Sequence, residues 1–240
     1  MTYLDSGQVE TFKKLLKTFF ALPYSTDLDG KDAETLLSLV KNTTGRPSRR
    51  KELFDIVDGE TGYSVKTLTK SYSSVRVDIQ EQRFCDVTEI RRMMAMGDGG
   101  EVEQGHILLS YMQNRIKEQM DARGVTVAKS LILLKHWNKE RTSFRFRYWE
   151  EKFLDYISTL CKRNERGEIE WIIQKAGLHG RDKLRQDMKG NNVRLLRMHY
   201  KHNQIFTDHD IPDDVVKIDF DVNKMDWIEL VRLLDHSNKE

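Results

Sequence analysis

The hydrophobic period of this 240-residue chain changes near residue 52, and that change limits the possible folds more than any other feature. Before it, Phe12, Leu15, Leu16 and Phe19 recur at i, i+3, i+4 and i+7, which predicts an amphipathic helix over Gln8–Leu22 ended by Pro23. Ala33, Leu36, Leu37 and Val40 predict a second helix over about Asp32–Asn42, capped by Asp29 or Asp32. Beyond the change, Glu52–Asp58, Tyr63–Thr69 and Ser74–Gln80 are short runs rich in β-branched and aromatic residues. The first two read as a hairpin about Asp58–Gly62, and the third as an adjacent strand. Glu103–Arg123 returns to the helical period, and Ser130–Leu134 is a continuous apolar run suited to a buried strand. Trp149–Cys161 reads as a helix, Val193–Phe206 as a hairpin, Val216–Phe220 as a strand and Asp226–Leu234 as a closing helix. This order predicts an α/β fold, a mixed sheet with an antiparallel hairpin flanked by helices. No repeat or proline-rich linker interrupts it, so residues 1–240 read as one domain.

Composition narrows the function classes. No run of about 18 apolar residues is present, so no membrane-spanning helix is expected. Met1–Gly7 lacks the basic and apolar pattern of a secretory signal. Cys85 and Cys161 are too few for a disulfide framework or a four-cysteine zinc site and read as reduced thiols, which fits the cytoplasm. The net charge of +2 conceals segregation. Lys175–His202 holds eight Lys/Arg against two Asp, whereas Thr207–Glu240 holds ten Asp/Glu against four Lys/Arg. Lys41, Arg46, Arg49, Arg50 and Lys51 form a second basic cluster. Segregated positive charge suits a polyanion, because neutralising phosphates releases condensed counterions.

The chemistry concentrates in the first hairpin. With its turn at Gly59–Glu60, Asp55 falls opposite Ser64, and side-chain alternation puts Ser64 and Lys66 on one face with Asp55. Asp55 is then placed to hold Mg²⁺, and Lys66 to orient a metal-bound water or stabilise charge on phosphorus. A plain cross-strand ion pair accounts for the same spacing.

An Asp on one strand, a turn, and x-x-Lys on the next, preceded by a helix bearing a Glu, resembles the PD-(D/E)XK nuclease core. Gly45-Arg-Pro-Ser-Arg-Arg50 and Tyr63-Ser-Val-Lys-Thr67 are similar to what type II restriction endonucleases show there. The resemblance covers about residues 32–134 and implies a restriction-endonuclease-like core, with residues 139–206 as a basic DNA-recognition elaboration. It implies a Mg²⁺-dependent endodeoxyribonuclease acting on double-stranded DNA, a homodimer, and a cytoplasmic location in a prokaryotic cell. Asp55, Lys66, Ser64 and Glu34 are its catalytic candidates. Position 64 departs from the pattern, being Ser where the family usually has Asp or Glu. Glu34 on the second helix, Asp78 on the third strand and Glu60 in the turn are the acids that could replace it, with Asp55, Glu34 and Asp78 as metal candidates.

For DNA contact, Arg141–Tyr148 interleaves Arg145 and Arg147 with aromatics. Leu178–Arg194 lacks a core-like apolar period and offers Arg181, Lys183, Arg185, Lys189, Asn191, Asn192 and Arg194, side chains suited to guanine and adenine edges. Arg46, Arg49 and Arg50 complete the set. His199, His202 and His209 with Asp208 and Asp210 lack a standard zinc spacing and read as surface groups.

Overall fold

The computed structural model describes residues 3–41, 52–81, 85–97, 99–174, 177–202 and 204–237; Arg46, Arg49 and Arg50 of the basic cluster lie outside these. Two helices lead the chain, α1 (Ser6–Ala21) and α2 (Gly30–Val40). Asp29 and Asp32 both serve the start of α2: the Asp29 carboxylate accepts the Asp32 N–H at 2.8 Å, and Asp32 reaches back to the Asp29 N–H. Strands β1 (Ile56–Asp58), β2 (Thr61–Thr69) and β3 (Arg76–Gln80) follow, then helices α3 (Val87–Met96) and α4 (Glu101–Arg123). The remainder is β4 (Val127–Trp137), β5 (Ser143–Lys152), α5 (Phe153–Glu165), β6 (Ile169–Gln174), β7 (Gly177–Gln186), β8 (Asn192–His199), β9 (Gln204–Asp210), β10 (Val216–Asp221) and α6 (Trp227–Ser237).

These strands build two five-stranded sheets. The first has the order β1-β2-β4-β5-β10, with β2 and β4 parallel and every other pair antiparallel. The second, β3-β9-β8-β7-β6, is antiparallel throughout. Helices α1 and α2 cover one face of the first sheet. Phe12, Leu16 and Phe20 lie four residues apart on one stripe of α1, fully buried against Phe144, Phe146 and Phe220. Each such side chain stabilises the fold by roughly 1.5–3 kcal/mol on burial. The opposite face presents Ile132, Leu134 and Trp149 to Val77 and Ile79 of β3. Helices α3, α4 and α5 fill the inner side of the second sheet, packing Ile90, Leu108, Ile116 and Ile157 against Trp171, Leu196 and Ile205.

The predicted hairpin forms, with Asp58 paired to Thr61 and Gly59 at φ 57°, the positive angle a two-residue turn needs at its first position. Three expectations fail. The third strand is not adjacent to the hairpin: β3 pairs with β9, since its apolar side is buried by laying Val77 and Ile79 onto the first sheet rather than by joining that sheet's edge. Trp149–Lys152 is the end of β5 and the helix begins at Phe153, because Tyr148 and Trp149 are buried on opposite faces as strand neighbours are. Leu178–Arg194 does contribute to the core, through Leu178 and Val193 of the β7–β8 pair. Helix α3 and strands β5, β6 and β7 have no counterpart among the expected elements. No helix among the described residues is long and apolar enough to cross a membrane.

Candidate active site

The β1–β2 ladder ends at the Ile56–Tyr63 pair, and just before it the chain steps out of that register by one residue. The Asp55 N–H donates to the Tyr63 carbonyl at 2.8 Å, and its carboxylate accepts the Val65 N–H at 2.8 Å. Asp55 is thereby fixed at the sheet edge beside the amide that lies between Ser64 and Lys66. Ser64 is buried and paired with Ser130 on β4, which is paired in turn with Glu151 on β5, so these three form one polar row.

Lys66 stands on the same face, one row further. Its ammonium donates to Glu81 Oε2 at 2.9 Å and to the Gln80 carbonyl at 3.3 Å. The Glu81 side chain is 1% exposed. Sequence reasoning passed over this acid because it lies just past the end of β3. Alternation would have found it, since Glu81 is in phase with Val77 and Ile79, the β3 residues that face the first sheet, and its N–H extends the ladder to the Ile205 carbonyl. The same alternation corrects Asp78, which points the other way and is bound to Lys70 at 2.6 Å and Arg197 at 2.9 Å. Burial pushes the Asp78 carboxyl up, but the Lys70 contact and then the Arg197 charge outweigh it and hold the group below the ordinary carboxylate range. Asp78 is therefore not part of the Lys66 site. Nearby, burial and then the Glu81 charge push the Cys85 thiol well up, while Lys66 opposes them.

Glu34 is buried on α2, whose Ala33, Leu36, Leu37 and Val40 cover the sheet face carrying Tyr63 and Val65, opposite to Lys66. Lys41 at the end of α2 meets Asp58 at 3.8 Å. Glu60 is engaged at the turn by the Thr126 hydroxyl at 3.2 Å.

The arginines of β5 lie further along the Lys66 face. Trp149 shares a row with Lys66 through Ile132; Arg147 and Arg145 follow at two-residue steps. Arg145 is exposed, both guanidinium groups lie over the Tyr72 ring at 5.3 Å, and Arg147 also donates to the Ser74 carbonyl at 3.0 Å. A second basic surface covers the outer side of the second sheet. There a depression of about 530 Å³ is lined by His179, Arg181, Asn191, Asn192 and Arg194. Burial, then the charges of His199, Arg194, Arg181 and Arg197, hold the His179 imidazole below its ordinary value, as a positive surface should. Several predicted contacts are already occupied: Arg194 grips Asp208 through two bonds of 2.7 and 2.8 Å, Arg185 pairs with Asp210 at 2.6 Å, and Lys183 donates to the Gly167 carbonyl. Asn192 binds Glu170, and Lys189 and Asn191 shape the turn through their N–H bonds to Asp187. Arg181 has no carboxylate partner among the described residues.

His209 also departs from expectation. It is 3% exposed, not a surface group, and lies between Thr207 and Glu151. Among the described residues no three His, Cys, Asp or Glu side chains converge as a metal cluster. Comparison with family models, with curated proteins and with solved structures found no match.

Proposed function

We propose that the chain is a Mg²⁺-dependent endodeoxyribonuclease of the restriction type, hydrolysing a phosphodiester bond at a specific sequence in double-stranded DNA. The observation that carries this reading is the 2.9 Å contact between Lys66 and Glu81, on the hairpin whose edge holds Asp55. It supplies the acid absent at position 64. A hard divalent cation takes one or two carboxylates, completed by water and phosphate oxygens, and Asp55 and Glu81 are the acids that would hold it. Glu34, on α2 against the opposite face of the sheet, stands apart from this pair. Bound Mg²⁺ would supply Lewis acidity and charge neutralisation at the phosphate. Lys66 positions the attacking water, whose oxygen bonds to phosphorus as the P–O bond to the leaving oxygen breaks; the products are a phosphate monoester and a hydroxyl. Arg145, Arg147 and Arg181 contribute phosphate contacts, and a palindromic site calls for two copies in two-fold relation.

The test is incubation of plasmid DNA with Mg²⁺ and the wild-type, Lys66→Met or Glu81→Gln chain, with folding checked by circular dichroism. Discrete bands from the wild type alone support the proposal. A smear or structure-dependent nicking would replace it with a repair or recombination nuclease, and intact DNA with a gel shift would replace it with a non-catalytic binder.

A further inference from the structure

We propose that His209 is a positioning residue for the Lys66–Glu81 pair, acting through the hydroxyl of Thr207. This inference rests on reading that pair as catalytic. It follows from counting protons along one buried chain of contacts. The Glu81 carboxylate accepts at both oxygens, from Lys66 Nζ at 2.9 Å and from Thr207 Oγ1 at 3.3 Å. A threonine hydroxyl has one proton, and we assign it to Glu81, whose carboxylate can only accept. Toward His209 Nε2, 2.8 Å away, the same oxygen is left only to accept, so Nε2 donates. The other ring nitrogen, Nδ1, faces Glu151 Oε2, while Glu151 Oε1 takes the Trp149 indole N–H at 3.3 Å. A carboxylate accepts, so Nδ1 donates as well. On this assignment of hydrogen bonds both ring nitrogens are donors, and the contacts run from Lys66 through Glu81, Thr207 and His209 to Glu151.

The direction of the Thr207 hydroxyl depends on that ring. Were Nε2 an acceptor, the Thr207 proton would turn toward it and Glu81 Oε1 would face a lone pair. Thr207 is fully buried, so bulk water offers no replacement donor. His209 thus fixes Glu81 at the oxygen Lys66 does not hold. Around the ring stand Tyr156 of α5, at 4.3 Å between centroids, and the charged groups Arg76, Arg163, Arg185, Asp208 and Asp210, which share with His209 and Glu151 the lining of a cavity of about 280 Å³. A hydroxyl, an imidazole and a carboxylate in sequence also describe a nucleophilic triad. Thr207 is not such a nucleophile, because it is sealed from substrate and its proton is committed to Glu81.

The experiment records ¹⁵N spectra of the histidine rings in the full chain at neutral pH, with His209 assigned by comparison with His209→Gln, alongside cleavage by Thr207→Val and Thr207→Ser. The expected result is a His209 ring protonated on both nitrogens, a kcat about ten-fold lower in Thr207→Val with DNA affinity unchanged, and recovery in Thr207→Ser. A ring with one protonated nitrogen, or Thr207→Val cutting at the wild-type rate, overturns the proposal. A wild-type chain that never cuts defeats the nuclease reading instead, and the ring spectrum alone then decides the role of His209.

Discussion

Replacing Lys66 by Met should destabilise the fold by about 3 kcal/mol, and the size of that loss follows from what is left behind. Lys66 is 11% exposed and Glu81 1% exposed, so the substitution strands a buried carboxylate. Removing one partner of a buried pair typically costs about 3–5 kcal/mol. The lower end applies here because Thr207 still donates to Glu81, and a hydrogen bond to a charged group retains about 1.5–3 kcal/mol. Glu81→Leu alone should cost less, since the long Lys66 side chain can carry its ammonium toward solvent. The double variant Lys66→Met/Glu81→Leu removes both charges and should recover most of the loss, because well-packed apolar replacements of buried pairs are neutral or stabilising. Equilibrium unfolding in urea measures this cycle through shifts of the midpoint at constant slope. Strictly additive single effects would refute the argument, since they would mean that the two groups do not depend on each other. None of the three variants should cut DNA, so the double variant would regain stability without regaining activity.

Gly105 and Gly180 clasp the Trp171 indole, which Asn164 anchors at 2.6 Å, so Gly105→Ala should lower the melting temperature even though alanine favours helix by about 1 kcal/mol; combining it with Trp171→Phe should reduce the loss. Burial pushes the Asp182 carboxyl up, but the Arg163 guanidinium and the Leu184 N–H outweigh it and hold the group below its ordinary value. Its stabilisation is thus present above the unfolded value of about 3.9 and lost as pH falls through the lower folded value, and Asp182→Asn should flatten unfolding free energy measured across that acid window. Arg181→Ala should weaken duplex binding across sequences and reduce the slope of log affinity against log salt by about one, leaving stability unchanged. Arg194→Ala, which abandons buried Asp208, should lower binding and thermal stability together.

The parts of this fold that were legible in the sequence are those fixed by neighbours along the chain. The stripes of α1 and α2, the reciprocal Asp29–Asp32 cap and the Gly59 turn each depend on residues a few positions apart. Even the missed α3 carried such a signal, with Val87, Ile90 and Met94 in helical phase behind an Asp86 that caps Thr88 and Glu89. The destination of β3 had no local signal. Arg76 pairs with Asp210, far along the chain, and the alternation that makes β3 a strand fits either sheet equally well. What decides it is the area buried when Val77 and Ile79 meet Ile132, Leu134 and Trp149.

The site divides in the same way. Asp55, Ser64 and Lys66 come from one hairpin, whereas Glu81, Thr207, His209 and Glu151 meet only once the second sheet is laid onto the first. The serine at position 64, where the nuclease resemblance calls for an acid, has a physical reason in that assembly. Position 64 is 2% exposed, on the row that continues through Ser130 to Glu151. Lys66, the cation that would have to compensate an acid there, is already engaged by Glu81 at 2.9 Å. A carboxylate at 64 would be a buried negative charge two strands, or about 10 Å, from the half-buried Glu151, where screening by solvent is weak. With the acid on β3 instead, Glu81 meets Lys66 and Glu151 meets the His209 ring, so a serine at 64 fits the packing of the two sheets.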